Sequence, residues 1–250
     1  MKGHVFTAGL LLITAPATAD VRFVQDEAYP PYMMKAQDTP AGILADIVLE
    51  AARRMDVGGG LTLEAIPWPR AVKLTEVGKA NGLVGAYYQP EARPWIATYS
   101  EPLLIEQVGI YCRYGIAEAD WAYPDDYIGL VFGNNFSFET PGPEFFAMVE
   151  AEDIILEEAL TTEQNLMKVN LNRIDCYVQE RLVAQKVIKE NALANVEFIS
   201  VASEERSMVA YPDAWDGPEA AIFIKAFDEA IIDMREDGTI KRIIADHVGG

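Results

Sequence analysis

Two hydrophobic periods alternate along the chain, one of about two residues and one of about 3.6. Val21 to Val24 reads as a strand, and the following EAYPPY is a turn in which Pro30 and Pro31 forbid continuation as ladder or helix. Tyr29 and Tyr32 are therefore expected on a loop just past a strand end. Next, Ile43, Leu44, Ile47, Val48, Ala51, Ala52 and Met55 recur at helical spacing, while Asp46, Glu50 and Arg54 line another face in steps of four. This predicts a helix ending near Asp56, stopped by Gly58 to Gly60. LTLEAIP follows as a strand, then a loop at Pro67 to Pro69, a helix over Ala71 to Val77, and a strand from Leu83 to Ala86. Strand, helix, strand is the pattern of an α/β protein with a mainly parallel sheet and helices on its faces. In such a sheet the loops past the carboxyl ends of strands form the binding crevice. The loops carrying Tyr29 and Tyr32, Trp68 and Arg70, and Tyr87 to Arg93 are expected to converge on one edge.

Ile105 to Tyr114 is a long β-rich run in which Gly109 is the one turn residue, long enough to leave one lobe and enter another. The pattern then restarts. Strands are predicted at Tyr127 to Phe132, Ile154 to Leu156, Ile174 to Val178 and Val196 to Ser200, with a turn at GNN, Gly133 to Asn135. Helices are predicted from about Glu144, over Thr162 to Leu171, and from about Arg181 to Asn191. Thr161 and Gln164 have capping-box spacing. A return crossing is placed near Ser200 to Arg206, followed by a long amphipathic helix from Glu219 to Arg235 and a short one from Thr239. The resulting division is 20–107 and 205–250 for one lobe and 108–204 for the other.

Composition narrows the setting. The first 19 residues pair one lysine with a short apolar run closing on Ala17, Thr18 and Ala19, the pattern of a cleaved signal peptide, so export to the periplasm is expected. The alternative is a buried N-terminal helix. No later apolar run is long enough to cross a bilayer, and a soluble exported chain is expected. Removing the leader leaves 39 acidic against 19 basic side chains, about −20, which argues against nucleic acid and anionic membrane surfaces as partners; a salt-tolerant solvated surface with no bearing on function is the alternative. Cys112 and Cys176 lie in strand-like runs; they could bridge if those strands are neighbours, and two buried free thiols are the alternative. No Cys and His cluster exists to hold zinc, and no cofactor or metal is expected.

Arg93 is the candidate for chemistry. It lies between Pro90 and Pro94 in YYQPEARPWIATYSEPL, just after the apolar run Leu83 to Ala86. A permanently charged guanidinium there suits a carboxylate gripped by two parallel hydrogen bonds, and a surface arginine in a loop is the competing reading. Tyr87 and Tyr88 alternate in direction if the strand persists, so at most one faces a ligand. Arg70 offers a second positive contact or a surface salt bridge.

EAYPPY, GILADIVLEAARRM, GKANGLVGAYYQPEARPWIATYSEPL, NRIDCYVQE and FDEAIIDMREDGTIKRI together resemble the family 3 bacterial extracellular solute-binding proteins, the periplasmic receptors of polar amino-acid ABC importers. The resemblance covers essentially the whole chain after the leader. It implies a type II periplasmic-binding fold, two α/β lobes joined by two crossing strands that close on a ligand. It also implies that Arg93 binds an α-carboxylate and that Tyr29, Tyr32 and Trp68 form aromatic walls. GNN, with Asn134 and Asn135, would complete the carboxylate site with backbone amides at a helix start, unless the asparagines are only turn formers. Glu180 stands where such binders place an aspartate for the ligand's ammonium; the longer side chain departs from the pattern, and a favourable charge at a helix start is the plainer reading. Asn81, where the family has an aspartate, is taken as structural. The function implied is capture of an amino acid or related small carboxylate by a monomer and delivery to an ABC permease in the inner membrane. The alternatives are an exported enzyme resembling cyclohexadienyl dehydratases, with Glu180 as general acid, and a ligand sensor for a membrane signalling partner.

Overall fold

The computed structural model describes residues 21–55 and 60–248. The leader expected over residues 1–19, the helix end expected near Asp56, and Gly58 and Gly59 of the expected glycine stop lie outside them. Among the described residues no helix is long and apolar enough to cross a membrane.

The chain begins with β1 (Val21–Asp26), a small antiparallel sheet of β2 (Ala28–Tyr29), β3 (Met33–Ala36) and β4 (Thr39–Ala41), and α1 (Ile43–Arg54). Gly42 caps α1 at φ 108°, a conformation open to glycine, and a Cβ there would lie 2.5 Å from the Tyr32 carbonyl oxygen. The first helical amides, Ile43 and Leu44, donate to the carbonyls of Pro31 and Tyr32. The tyrosine loop is thereby tied to the start of α1. β5 (Leu61–Ile66), α2 (Trp68–Glu76), β6 (Gly82–Ala86) and β7 (Ile96–Tyr99) complete this half. The predicted start of α2 at Ala71 is too late. Pro69 sits in the first turn, where its fixed φ suits a helix, so Trp68 and Arg70 belong to the helix and not to a loop.

β8 (Leu104–Arg113) leads into the second half: β9 (Val131–Asn135), α3 (Pro143–Glu150), β10 (Ile155–Ala159), α4 (Thr162–Asn170), β11 (Cys176–Glu180) and α5 (Arg181–Glu190). The capping box at Thr161 and Gln164 forms as the spacing predicts. β12 (Val196–Pro212) returns as one 17-residue strand, longer than the segment predicted to end at Ser200, and α6 (Pro218–Glu236) and α7 (Thr239–Val248) close the chain.

Two expectations fail around β9. The strand predicted over Tyr127 to Phe132 is a 3₁₀ turn at Asp125–Tyr127 followed by a strand starting at Val131, because Gly129 at φ 81° interrupts the run. GNN is not a turn at a helix start. It is the end of β9, with Gly133, Asn134 and Asn135 in register with Glu157, Glu158 and Ala159 of β10, and α3 begins only at Pro143.

The strands join in the order β10-β9-β11-β8-β12-β6-β1-β5, with β7 on β12. The groups β5-β1-β6 and β10-β9-β11 are parallel, and the antiparallel pairings of this large sheet involve β8 or β12. Those two strands pair from Leu104 with Ser207 to Arg113 with Val196, so they connect the two halves of the sheet. Each half has its own core. In the first, Phe223 and Phe227 of α6 pack edge to face on Phe23, and Tyr211 lies tilted against the same ring. In the second, Tyr127, Phe132 and Phe145 cover one sheet face, while Tyr111, Tyr177 and Leu166 cover the other. Cys112 and Cys176 are directly opposed on β8 and β11 and form a disulfide.

Candidate functional site

The end of β2 with the turn that follows it, the start of α2 and the turn after Gln89 meet where the two halves face each other, with Arg93 at their centre; Tyr29 ends β2 and is not on the loop expected for it. Its guanidinium is buried, with 5 % of the residue exposed, because the turn after Gln89 carries it inward and Trp68 covers it at 5.5 Å from the ring centroid. Among the described residues it forms no ion pair. Its hydrogen-bond acceptor is the Ser137 carbonyl, 3.3 Å from Nη2, which also accepts from Trp68 Nε1 at 3.1 Å. Burial pushes the guanidinium below its usual range, and the charge of Glu139 pulls it back. A cation so placed lacks the acceptors that its five N–H groups require. The adjoining cavity, about 30 Å³, is lined by Tyr29, Met33, Trp68, Tyr87, Phe138 and Glu139 among others.

Beneath this cavity lies a hydroxyl and carboxylate layer. Tyr87 donates to Glu106 Oε2 at 2.7 Å and Tyr29 to the same oxygen at 3.2 Å. Tyr32 donates to Glu180 Oε1 at 3.1 Å, and Glu180 Oε2 caps α5 by accepting from the Val183 amide at 2.9 Å. Both carboxyls belong to residues 1 % exposed. Register puts them together: Glu180 opposes Val108, two residues from Glu106, so both point to one face of the sheet. Burial raises Glu106 to about 7, against hydrogen bonds from Tyr87 and Tyr29 that lower it. Burial and the charge of Glu106 raise Glu180 to about 8, against the Val183 amide and Tyr32.

A model of the bacterial extracellular solute-binding proteins, family 3, matches residues 21–250. The chain belongs to this family. The fold of this family 3 protein is the type II periplasmic-binding fold, and similar solved structures span nearly all of it. One is a histidine kinase sensor domain similar to periplasmic binding proteins, 21% identical over 92% of this chain and 96% of its own, with a TM-score of 0.76. Another is an ancestral arginine-binding protein bound to arginine, 16% identical over 93% and 99%, TM-score 0.76. The substrate-binding protein of an amino acid ABC transporter is 15% identical over 93% and 100%, TM-score 0.72. No curated protein sequence matches closely enough to be called a relative.

Of the residues singled out from sequence, the family 3 fold brings Arg93, Trp68, Tyr29 and Tyr87 to one cavity wall. Tyr32 stacks beside Tyr29, ring centroids 5.9 Å apart, and reaches Glu180 in the deeper layer. Tyr88 is 64% exposed and packs on Tyr99 while Tyr87 is buried, although β6 ends at Ala86 and the strand on which their alternation depended does not reach them. Arg70 is placed otherwise: it is exposed on α2, away from the cavity lining, and the carboxylate that feels its charge is Glu64. Asn134 and Asn135 are buried in β9, outside the lining. Asn134 Nδ2 holds the Phe138 carbonyl at 2.9 Å. Asn135 accepts from Asn165 and Tyr177 and donates to Thr162. Their turn propensity is overridden in the strand: Thr162, Asn165 and Tyr177 satisfy the Asn135 amide, whereas Asn134 is held through Nδ2 and its buried Oδ1 has no hydrogen-bond partner among the described residues. Asn81 accepts from the Arg22 amide, a structural bond.

Sequence reading missed Glu106 and the segment Phe138 to Thr140. Glu106 had a signal: it shares the alternating face of Val108, Ile110 and Cys112, where an isolated carboxylate is out of place. Phe138 had none, because only the chain's path after β9 carries it to Trp68 and Tyr29.

Proposed function

We propose that this protein is a periplasmic, monomeric solute-binding protein that captures an amino acid or related small carboxylate and delivers it to the permease of an ABC importer in the inner membrane. Its lobes are residues 20–107 with 205–250, and 108–204, hinged at β8 and β12. The observation that carries the reading is a buried guanidinium with no ion pair among the described residues, at a cavity walled by Trp68, Tyr29 and Tyr87. The carboxylate takes Arg93 through two parallel hydrogen bonds, and the aromatic faces take the ligand's body. Such a set supports micromolar affinity, about −8 kcal/mol. Glu180 and Glu106 face a ligand amine from below, and the ABC transporter protein of the same fold is in keeping with transport.

The test is a thermal-shift screen of amino acids, amines and small carboxylates against the wild type and Arg93→Ala. Carboxylates should raise the wild-type Tm and leave the variant unmoved. Stabilisation that survives Arg93→Ala would place the site elsewhere.

A second reading rests on Glu180. Held at about 8, it carries a proton at neutral pH and could serve as the general acid of a dehydratase. Product formation from prephenate or arogenate would establish it. Similarity to a histidine kinase sensor domain supports a sensing role by the same capture step.

A further inference from the structure

The segment between β9 and α3 occupies the space that a ligand of Arg93 needs. Phe138 lies edge-on to both Tyr29 and Trp68, ring centroids 5.8 and 5.6 Å away, and so fills the aromatic slot. Ser137 adopts φ 66°, the left-handed region that a serine enters at a cost, and this turns its carbonyl toward Arg93 and Trp68 together. Glu139 follows, its charge felt by Arg93 and its carbonyl accepting from Gln89 Nε2 at 3.4 Å. A ring, an acceptor oxygen and a carboxylate are thus offered to the anchoring wall by one stretch of the protein's own chain. About 30 Å³ remains, room for one or two water molecules and less than any amino acid requires.

We propose that Phe138 is the specificity-determining residue of this cleft: it competes for the slot between Tyr29 and Trp68 and restricts the site to carboxylates with small bodies. This rests on the carboxylate reading of Arg93. The competition is weighted toward the ligand at the charged end, because one neutral carbonyl satisfies a single guanidinium N–H whereas a carboxylate satisfies two with charge assistance. It is weighted toward the protein at the aromatic end. Phe138 is already there, held by its own carbonyl on Asn134 and its amide on Asn135. A ligand with its own ring must expel a ring of equal size and gains little by doing so, whereas a small carboxylate can take Arg93 while Phe138 shifts or stays. Removing the ring opens a benzene-sized space, on the order of 150 Å³ in comparable engineered cavities, beside the guanidinium.

The experiment is a titration of the full chain, followed by Trp68 fluorescence or calorimetry, with acetate, L-alanine, phenylacetate and L-phenylalanine. Wild type, Phe138→Ala, Phe138→Leu and Arg93→Ala are compared, each checked for a cooperative melt. Phe138→Ala should tighten phenylacetate and L-phenylalanine at least about tenfold relative to wild type and change acetate and L-alanine less than about threefold. Phe138→Leu should move the same way by a smaller factor, and it carries the test should the alanine variant fail to fold. Equal change for both ligand classes, or none, overturns the proposal and leaves the carboxylate reading standing if wild-type binding still depends on Arg93. Absence of binding by all four probes to every variant overturns both.

Discussion

Arg93 shows how a single side chain can be costly to the fold and central to the site. A guanidinium withdrawn from water with one carbonyl as hydrogen-bond partner is poorly compensated. Arg93→Met keeps the apolar stem against Trp68 and removes the charge, so it should raise the stability of the unliganded protein by about 1–2 kcal/mol in urea denaturation while abolishing carboxylate binding. A fall in stability would show that the charge is well satisfied as it stands.

The two buried glutamates set a pH dependence of definite sign. Both stand above their ordinary value of 4.5 when folded, at about 7 and about 8, so the folded protein retains protons that the unfolded chain has released. Stability therefore falls as pH rises from about 4.5 to about 8, by on the order of 1 kcal/mol per pH unit for each carboxyl within its own window. Asp26, raised to about 6 by burial, adds to the lower part of that window. Glu50 and Asp237, both lowered to about 2 by hydrogen bonds, act in the opposite sense and only below about pH 4.5. Tm measured from pH 5 to 8 should decline in the wild type and decline less in Glu106→Gln and Glu180→Gln. Identical slopes in all three proteins would place the titrating groups elsewhere.

Among the elements, β8 connects the most functions. It crosses between the halves, carries Glu106 to the site, and is bonded to β11 through Cys112 and Cys176. The bridge closes a loop between residues 64 apart in sequence, which in the chain-entropy view is worth about 4 kcal/mol. Replacing both cysteines by alanine should lower unfolding free energy by roughly that amount, and an oxidised and a reduced sample should differ likewise in urea midpoint. Since β8 and β11 also align Glu106 with Glu180, the same change should loosen the carboxylate layer, seen as faster amide exchange at the α5 start.

At the scale of the molecule, the two halves are held against each other by a few polar contacts around the cleft. Tyr32 reaches Glu180, Trp68 and Arg93 share the Ser137 carbonyl, and Gln89 reaches Glu139. These contacts close over the cavity beside Arg93, and β8 with β12 is the connection about which the halves can move. Small-angle scattering should therefore record a smaller radius of gyration with a saturating carboxylate than without, and Arg93→Ala should lose the difference. An unchanged radius in the wild type would argue that ligands enter by local movement of Phe138 alone.

The sequence by itself determined the order of elements, the capping box at Thr161, and the candidacy of Arg93, Trp68, Tyr29 and Tyr87. These depend on periodicity, proline placement and side-chain direction, all local properties that survive most tertiary contexts. Tertiary structure decided what local propensity could not. GNN became strand because Asn165, Tyr177 and Thr162 satisfy Asn135, and α2 began at Trp68 because Pro69 fits a first turn. Cys112 met Cys176 only through the register of β8 on β11, and the same register set Glu106 beside Glu180. Phe138 faces Trp68 across a separation of 70 residues, a meeting that depends on how the two halves close and leaves no trace in the residues around either.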